Sequence, residues 1–292
     1  MKNRAWIIPH SHYDAEVFLV EEATLAIGYA NLVGALHLLA TQPTFKYTLD
    51  QSCFVEPFLR AYPEMKPALL NFIQQGRLEI VGGMHSMPDE NIPCGESFIR
   101  NVQHGKSFFQ RELGVNVRSG WPIDTFGHPP QIPQLMRQCG FEHASFQRLM
   151  PKDHPSEFIW QGLDGTQLLC HWMSCSYASF WSAPANLYEF TRFANDRIDK
   201  LTARAISQDI MAPAGADLTA VEPHLVEMVK AYNQSQGEVE LIVANVSDYY
   251  QALNEGLQSG VQLPVFSGDL NPIFQGCYSA RIGIKQWNRR VE

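Results

Sequence analysis

The chain has 292 residues, 22 of them basic and 30 acidic, for a formal net charge of −8, and 45% of its residues are hydrophobic. That length gives ample chain to bury a core, as one large α/β domain or two average ones, and it excludes both disorder and a disulfide-stapled miniature fold. The acidic balance argues against a nucleic-acid or anionic-membrane partner, because such partners require a cationic face that displaces counterions.

Short β-rich runs alternate with helical patterns along the whole chain. The first strand is Ala5 to Ile8, and the helix that follows, Glu21 to Thr41, carries Leu25, Tyr29, Leu32, Leu36 and Leu39 at spacings of four and three. A strand is expected at Phe45 to Leu49. A helical region from Phe54 to Gln75 is interrupted by Pro57, Pro63 and Pro67 and stopped by Gly76. Leu78 to Val81 reads as a strand, Glu96 to Leu113 as a helix, Val117 to Ile123 as a strand, and Pro129 to just before Gly140 as a helix. A short strand follows at His143 to Phe146. Phe158 to Gln161 and Gln167 to Trp172 flank Asp164-Gly165, the signal of a hairpin turn. Later strands fall at Asp209 to Ala212 and Val239 to Ala244, the latter before a helix capped by Ser247 or Asp248. Such alternation implies an α/β fold, a mostly parallel sheet or barrel with covering helices.

The apolar run that ends at Pro9 is too short for a secretory signal, and no window approaches the roughly 20 apolar residues of a membrane span. The six cysteines are dispersed, without the close pairing of a zinc ribbon. A reduced, cytoplasmic protein is the expectation.

Function in such folds collects at the carboxyl ends of the strands. Three polar segments fall there. In His10-Ser11-His12-Tyr13-Asp14, His12 and Asp14 are two apart, so in extended chain both project to one side and can converge on a divalent cation such as zinc. The residues alone leave open that one His closes a loop and Asp14 begins a turn. In the segment Gly120 to Pro130, Asp124 stands at a strand end with Pro129-Pro130 opening a helix beyond it, unless it caps that helix while Trp121 and Phe126 fill core. In Pro213-Ala214-Gly215-Ala216-Asp217, an acid again follows a strand and a Gly, which by itself is also an ordinary turn. Two carboxyl groups delivered by different strand ends are what glycoside hydrolysis needs, one to attack or steer water and one to protonate the leaving oxygen.

In order and rough spacing these segments resemble the α-mannosidases of glycoside hydrolase family 38. Pro88 to Ser97 and the closing Gln275 to Arg281, Lys285 and Asn288-Arg289 extend the likeness to essentially the whole chain. The resemblance implies an irregular (β/α) barrel of the seven-stranded glycoside hydrolase/deacetylase type. It also implies a retaining reaction on terminal α-D-mannosides or mannose-containing oligosaccharides, with Zn2+ (or Co2+, Mn2+ or Ca2+) in the sugar subsite. On that basis His12, Asp14 and Asp124 are metal ligands, Asp124 is also the nucleophile, and Asp217 is the general acid and then the base. Arg148 looks like the family's arginine near the nucleophile. His85, Trp121 and Phe126 are candidate substrate contacts. Retention further requires the two carboxyl groups to lie roughly 5 to 5.5 Å apart, with the proton donor set away from the metal.

Two departures stand out. Where much of the family has a pocket-lining Trp three positions after the first metal-binding Asp, this chain has Val17. The family's fourth metal ligand is a His beyond the end of this chain, and Arg281 to Glu292 resembles the first helix of the bundle that follows the catalytic domain. The expected organisation is therefore a catalytic domain over 1–265 and a linker with the start of a truncated helical bundle over 266–292. Ile282, Ile284, Trp287 and Val291 would leave an apolar stripe exposed unless it pairs with another chain, as in a homo-oligomer. A metal-dependent amidohydrolase or deacetylase, and a catalytically silent carbohydrate-binding fragment, are the alternative readings. Cys170-His171 and Cys175 read as structural, Asp50-Gln51-Ser52 and Asp248 as strand-end residues that line a cleft or cap helices, and Trp160, Trp172 and Trp181 as core or sugar platforms.

Overall fold

The computed structural model describes residues 3–15, 17–148, 150–151, 153–235, 237–271 and 275–292, apart from the side chains of 275 and 276. In chain order the first elements are β1 (Arg4–Pro9), α1 (Glu21–Thr41), β2 (Tyr47–Leu49), α2 (Ser52–Ala61), α3 (Lys66–Gln74), β3 (Leu78–Ile80), α4 (Gly95–Leu113), β4 (Ser119–Gly120), α5 (Ile132–Gln138) and β5 (His143–Phe146). They continue with β6 (Glu157–Gln161), β7 (Gln167–Trp172), α6 (Leu187–Thr202), β8 (Asp209–Ala214), α7 (Leu225–Gln234), β9 (Glu240–Val243), α8 (Val246–Gln258), β10 (Val265–Ser267), α9 (Gln275–Ser279) and α10 (Ile282–Val291). These elements form two compact units, residues 1–81 with 175–262 and residues 82–174 with 263–292.

In the first unit β1 lies between β8 and β9, parallel to both. Ala5 and Ile7 are completely buried, and the register with β8 is pinned at its start by Asp209, which accepts from Trp6 Nε1 at 2.9 Å and pairs with Arg4 Nε at 2.7 Å. β2 and β3 form a second parallel pair, and a parallel bridge from His10 to Thr48 brings β2 alongside the end of β1. Helix α1 is long and apolar enough, by length and composition, to cross a membrane, which corrects the expectation that no window approaches such a span. Here it buries Leu32, Ala35, Leu36 and Leu39, and Tyr29 packs its ring 5.8 Å from that of Phe54 on α2.

The second unit holds a five-stranded sheet in the order β10-β6-β7-β5-β4, parallel except for the β6–β7 hairpin. Its turn is the expected Asp164-Gly165, with Gly165 at φ 84° and Asp164 Oδ1 accepting from Thr166 N at 3.0 Å. Cys170 and His171 are buried on β7, where His171 Nδ1 lies 3.5 Å from Glu157 Oε1 on the neighbouring strand, as a structural reading of both requires.

The α/β class and mostly parallel pairing are as expected. A closed seven-stranded barrel is not: among the described residues the strands pair into three separate sheets. The strand anticipated over 117–123 shrinks to Ser119–Gly120, because Pro122 has no N–H to extend a ladder and the chain turns toward Asp124. The helix anticipated from Pro129 begins at Ile132, with Pro133 in its first turn. Helix α8 is capped at Asn245 instead of Ser247 or Asp248; the Asp248 carboxylate reaches back to the Asn245 N–H at 2.8 Å. Trp160 and Trp172 are buried in the second unit, whereas Trp181 is 42% exposed. All six cysteines are free thiols.

Candidate active site

Beyond their last paired residues, β1 and β8 stay side by side. His10 N donates to Ala214 O at 3.3 Å, His12 N to Ala216 O at 3.1 Å, and Leu218 N to His12 O at 2.9 Å. The register that sets Pro9 opposite Ala214 therefore continues until His12 faces Asp217. Directly paired residues of neighbouring parallel strands project to the same face, and so does a residue two further along. His12, Asp14 and Asp217 are thus placed together by backbone pairing.

Gly215 makes this approach feasible. A Cβ there would overlap His10 O and lie 2.7 Å from His10 C, so the strands could not run this close with any other residue. Helix α1 fixes the far side of the loop, with Asn31 Nδ2 donating to Leu218 O at 2.9 Å.

His12 Nε2 is 3.5 Å from Asp14 Oδ1, and one ligand atom from each of His12, Asp14 and Asp217 lies within 4.8 Å of the other two. One imidazole nitrogen and two carboxylate oxygens form a donor set suited to zinc or another divalent ion, grouped closely enough to converge on one. The residues present therefore fit a divalent cation. The structure does not set Asp217 apart from the candidate ligands, in contrast to the isolated proton donor anticipated from the resemblance.

Around this trio stand further groups, of which Tyr177 is the one that no sequence motif announced. Tyr177 donates its phenolic O–H to Asp217 Oδ1, and its ring centroid is 5.4 Å from that of His12. The Tyr177 carbonyl, which can only accept, lies 2.9 Å from His10 Nε2, so that nitrogen carries the proton. Burial pushes the His10 imidazole down to about 4, which keeps it neutral. Asp50, just past β2, is 4% exposed; burial lifts its carboxyl to about 6, with the neighbouring His12 pulling in the opposite direction.

The second unit positions Asp124 after β4 and Arg148 after β5. Arg148 donates from Nε to Asp124 Oδ1 at 2.8 Å and from a second guanidinium nitrogen to the same oxygen, and its guanidinium carbon lies 4.4 Å from the centre of the Phe126 ring. The Asp124 loop is held by the segment over 87–91, almost residue for residue. Asp124 N contacts Met87 Sδ at 3.4 Å, the Thr125 hydroxyl donates to Pro88 O at 3.0 Å, and Phe126 N donates to Asp89 Oδ1 at 3.1 Å. His128 Nδ1 bonds Glu90 Oε2 at 2.7 Å, with both side chains fully buried. Gly127 leaves room for Asn91 Nδ2 and the Tyr278 hydroxyl, both of which a Cβ there would displace. The sequence marked Pro88 to Ser97 as a motif, but it gave no hint that this segment braces another loop.

Of the remaining candidates, Trp121 is buried, and His85 sets its ring edge-on to that of His104 with centroids 4.5 Å apart. The structure thus joins His12, Asp14 and Asp217 in one unit, and Asp124, Phe126 and Arg148 in the other.

The model of the glycosyl hydrolases family 38 N-terminal domain matches residues 2–269. Among curated proteins, alpha-mannosidase 2C1 of Homo sapiens is 25% identical over 288 residues, covering 97% of this chain and 27% of that protein. Alpha-mannosidase G of Dictyostelium discoideum is 31% identical over 174 residues, covering 58% of this chain and 16% of that protein. An alpha-mannosidase from Enterococcus faecalis V583 is 26% identical in its crystal structure, with a TM-score of 0.89, covering 98% of this chain and 34% of that one. The chain thus spans about a third or less of the length of each of these relatives. With the family model matching nearly its full length, the chain belongs to glycosyl hydrolase family 38, as its N-terminal domain.

Proposed function

We propose that the chain carries the catalytic residues of a retaining, metal-dependent hydrolase of terminal α-D-mannosides. The observation that supports this most directly is the convergence of His12, Asp14 and Asp217 on one face of a shared strand register. His12 and Asp14 hold a divalent cation, zinc by the chemistry of the donors, with Asp124 as the further ligand expected from the family resemblance. Such an ion would supply positive charge that polarises sugar hydroxyls and keeps its own ligand carboxylates ionised.

The chain's own side chains do the rest. Arg148 grips Oδ1 of Asp124 and so orients the carboxylate for attack on the anomeric carbon. The bond from that carbon to the leaving oxygen breaks as Asp217 gives the oxygen its proton. In the second half the roles reverse: Asp217 takes a proton from water, whose oxygen displaces Asp124 and restores the starting configuration. Tyr177 occupies Oδ1 of Asp217, leaving the other oxygen for proton exchange. Six free thiols suit a reducing compartment, and a cytoplasmic setting is part of the same proposal.

The test is hydrolysis of 4-nitrophenyl α-D-mannopyranoside by the chain with zinc supplied, the first-formed mannose anomer being read by proton NMR. Asp124→Asn should lower kcat by at least about a hundredfold while circular dichroism is unchanged. Undiminished turnover in that variant, or β-mannose as the first product, refutes the assignment.

A further inference from the structure

We propose that Asp50 is a positioning residue for His12, holding the imidazole so that Nε2 is presented to the cation. The inference rests on the reading of His12 and Asp14 as cation ligands, and deepens it. Its basis is strand register. The His10–Thr48 bridge aligns β2 with the end of β1, and continuing that register by two residues puts Asp50 beside His12. The two segments are still adjacent one residue later, where Gln51 Nε2 donates to Tyr13 O at 3.0 Å. His12 therefore stands between Asp217 on one side and Asp50 on the other, with all three side chains on one face.

The two ring nitrogens of His12 have different surroundings. Nε2 is the one turned toward Asp14, at 3.5 Å, and Nδ1 is buried. A histidine that binds a metal through Nε2 must carry its proton on Nδ1, and a carboxylate linked to that nitrogen through one water favours this tautomer and makes the ring a better donor. Asp50 suits this role, being 4% exposed and having, among the described residues, no hydrogen-bond partner for its Oδ2. A buried carboxylate with an unoccupied oxygen opposes folding, so packing alone gives no reason for an acid at this position, whereas support of the histidine does.

The experiment uses the purified 292-residue chain, stripped with a chelator and titrated with Zn2+ against a chromophoric competitor, and with Co2+ followed by its visible absorption. Asp50→Asn should weaken both ions by about 10- to 100-fold, alter the Co2+ spectrum, and leave the metal-free Tm unchanged or higher. Asp50→Ala, which removes the acceptor altogether, should lose at least as much affinity. Affinity within twofold of wild type in Asp50→Asn overturns the proposal, as does a loss of affinity that only parallels a fall in metal-free Tm. His12→Ala separates this failure from that of the underlying reading: if it binds the ions as the wild type does, or if neither binds, His12 is no ligand and Asp50 has nothing to position.

Discussion

Gly215→Ala tests whether backbone proximity builds the site. The new methyl carbon would lie 2.7 Å from His10 C and 2.9 Å from its Cδ2, besides overlapping His10 O. Carbon atoms pack at about 3.5 to 4 Å, so β1 and β8 must separate by about 1 Å at this point. The bonds His10 N to Ala214 O and His12 N to Ala216 O, at 3.3 and 3.1 Å, then pass beyond hydrogen-bonding range. Leaving two such pairs unmade in a buried setting costs about 1–3 kcal/mol each, or roughly 2–6 kcal/mol in all. A native stability of about 5–15 kcal/mol would lose a large share, and the spacing of His12 and Asp217 would change with it. Gly34→Ala, in the middle of α1 with open space around the new Cβ, is the control and should gain up to about 1 kcal/mol. Urea unfolding of the metal-free chain, paired with Co2+ titration, reads both effects. A Gly215→Ala variant within about 0.5 kcal/mol of wild type that binds Co2+ equally well would refute the reasoning.

Two further predictions concern the second unit. His143 is buried against Ser119, its Nε2 2.8 Å from the hydroxyl oxygen, and burial pushes its imidazole down to about 3. A depressed histidine contributes stability that is present above the unfolded value of 6.5 and lost as pH falls toward the folded value, here by as much as about 5 kcal/mol. Urea midpoints should therefore fall more steeply between pH 7 and 3.5 in wild type than in His143→Gln; parallel curves would contradict this. Glu90→Ala leaves His128 Nδ1 buried without its acceptor at a cost of about 1–3 kcal/mol, and it loosens the loop that carries Asp124. The expected result is a lower Tm together with a fall in kcat on the aryl mannoside, and a normal kcat would show that the Asp124 loop keeps its shape without Glu90.

The parts of the site that follow from local chain geometry are legible in the sequence. His12 and Asp14 share a face because extended chain alternates, and Gly215 before Asp217 signals a tight strand end. Tyr177 is not legible, because it comes from irregular chain after Ser176, at φ 129°, and nothing local relates it to Asp217 40 residues later. The burial of Asp50 is equally hidden, since it depends on β1 lying next to β2. Among the elements, the Asp164-Gly165 hairpin is fixed by its own turn chemistry. The β4 strand is shorter than its apolar run suggests because Pro122 interrupts the ladder that the run would otherwise support. Helices α6 and α7 lie outside the expected elements, although Asn186 accepts from Tyr188 N and Glu189 N in the manner of a helix cap. Closure of a barrel depends on pairing between distant strands, which periodicity does not encode.

The site's dependence on register explains why residues at the far end of β1 bear on its chemistry. A shift of one residue between β1 and β8 would turn Ser11 and Tyr13 to the face now held by His12 and Asp14, and the ligand set would be lost. At the loop end Gly215 tolerates the approach without selecting a partner, and the hydrogen bonds of Asn31 to Leu218 O and of Tyr177 to Asp217 hold the residues beyond it. Selection comes instead from the first turn of the ladder, where Asp209 engages both Arg4 and Trp6 and is itself 4% exposed. A slipped register would leave that carboxylate buried without its cation, a cost of several kcal/mol. The acid at the start of β8 thereby specifies which residue stands beside the acid at its end.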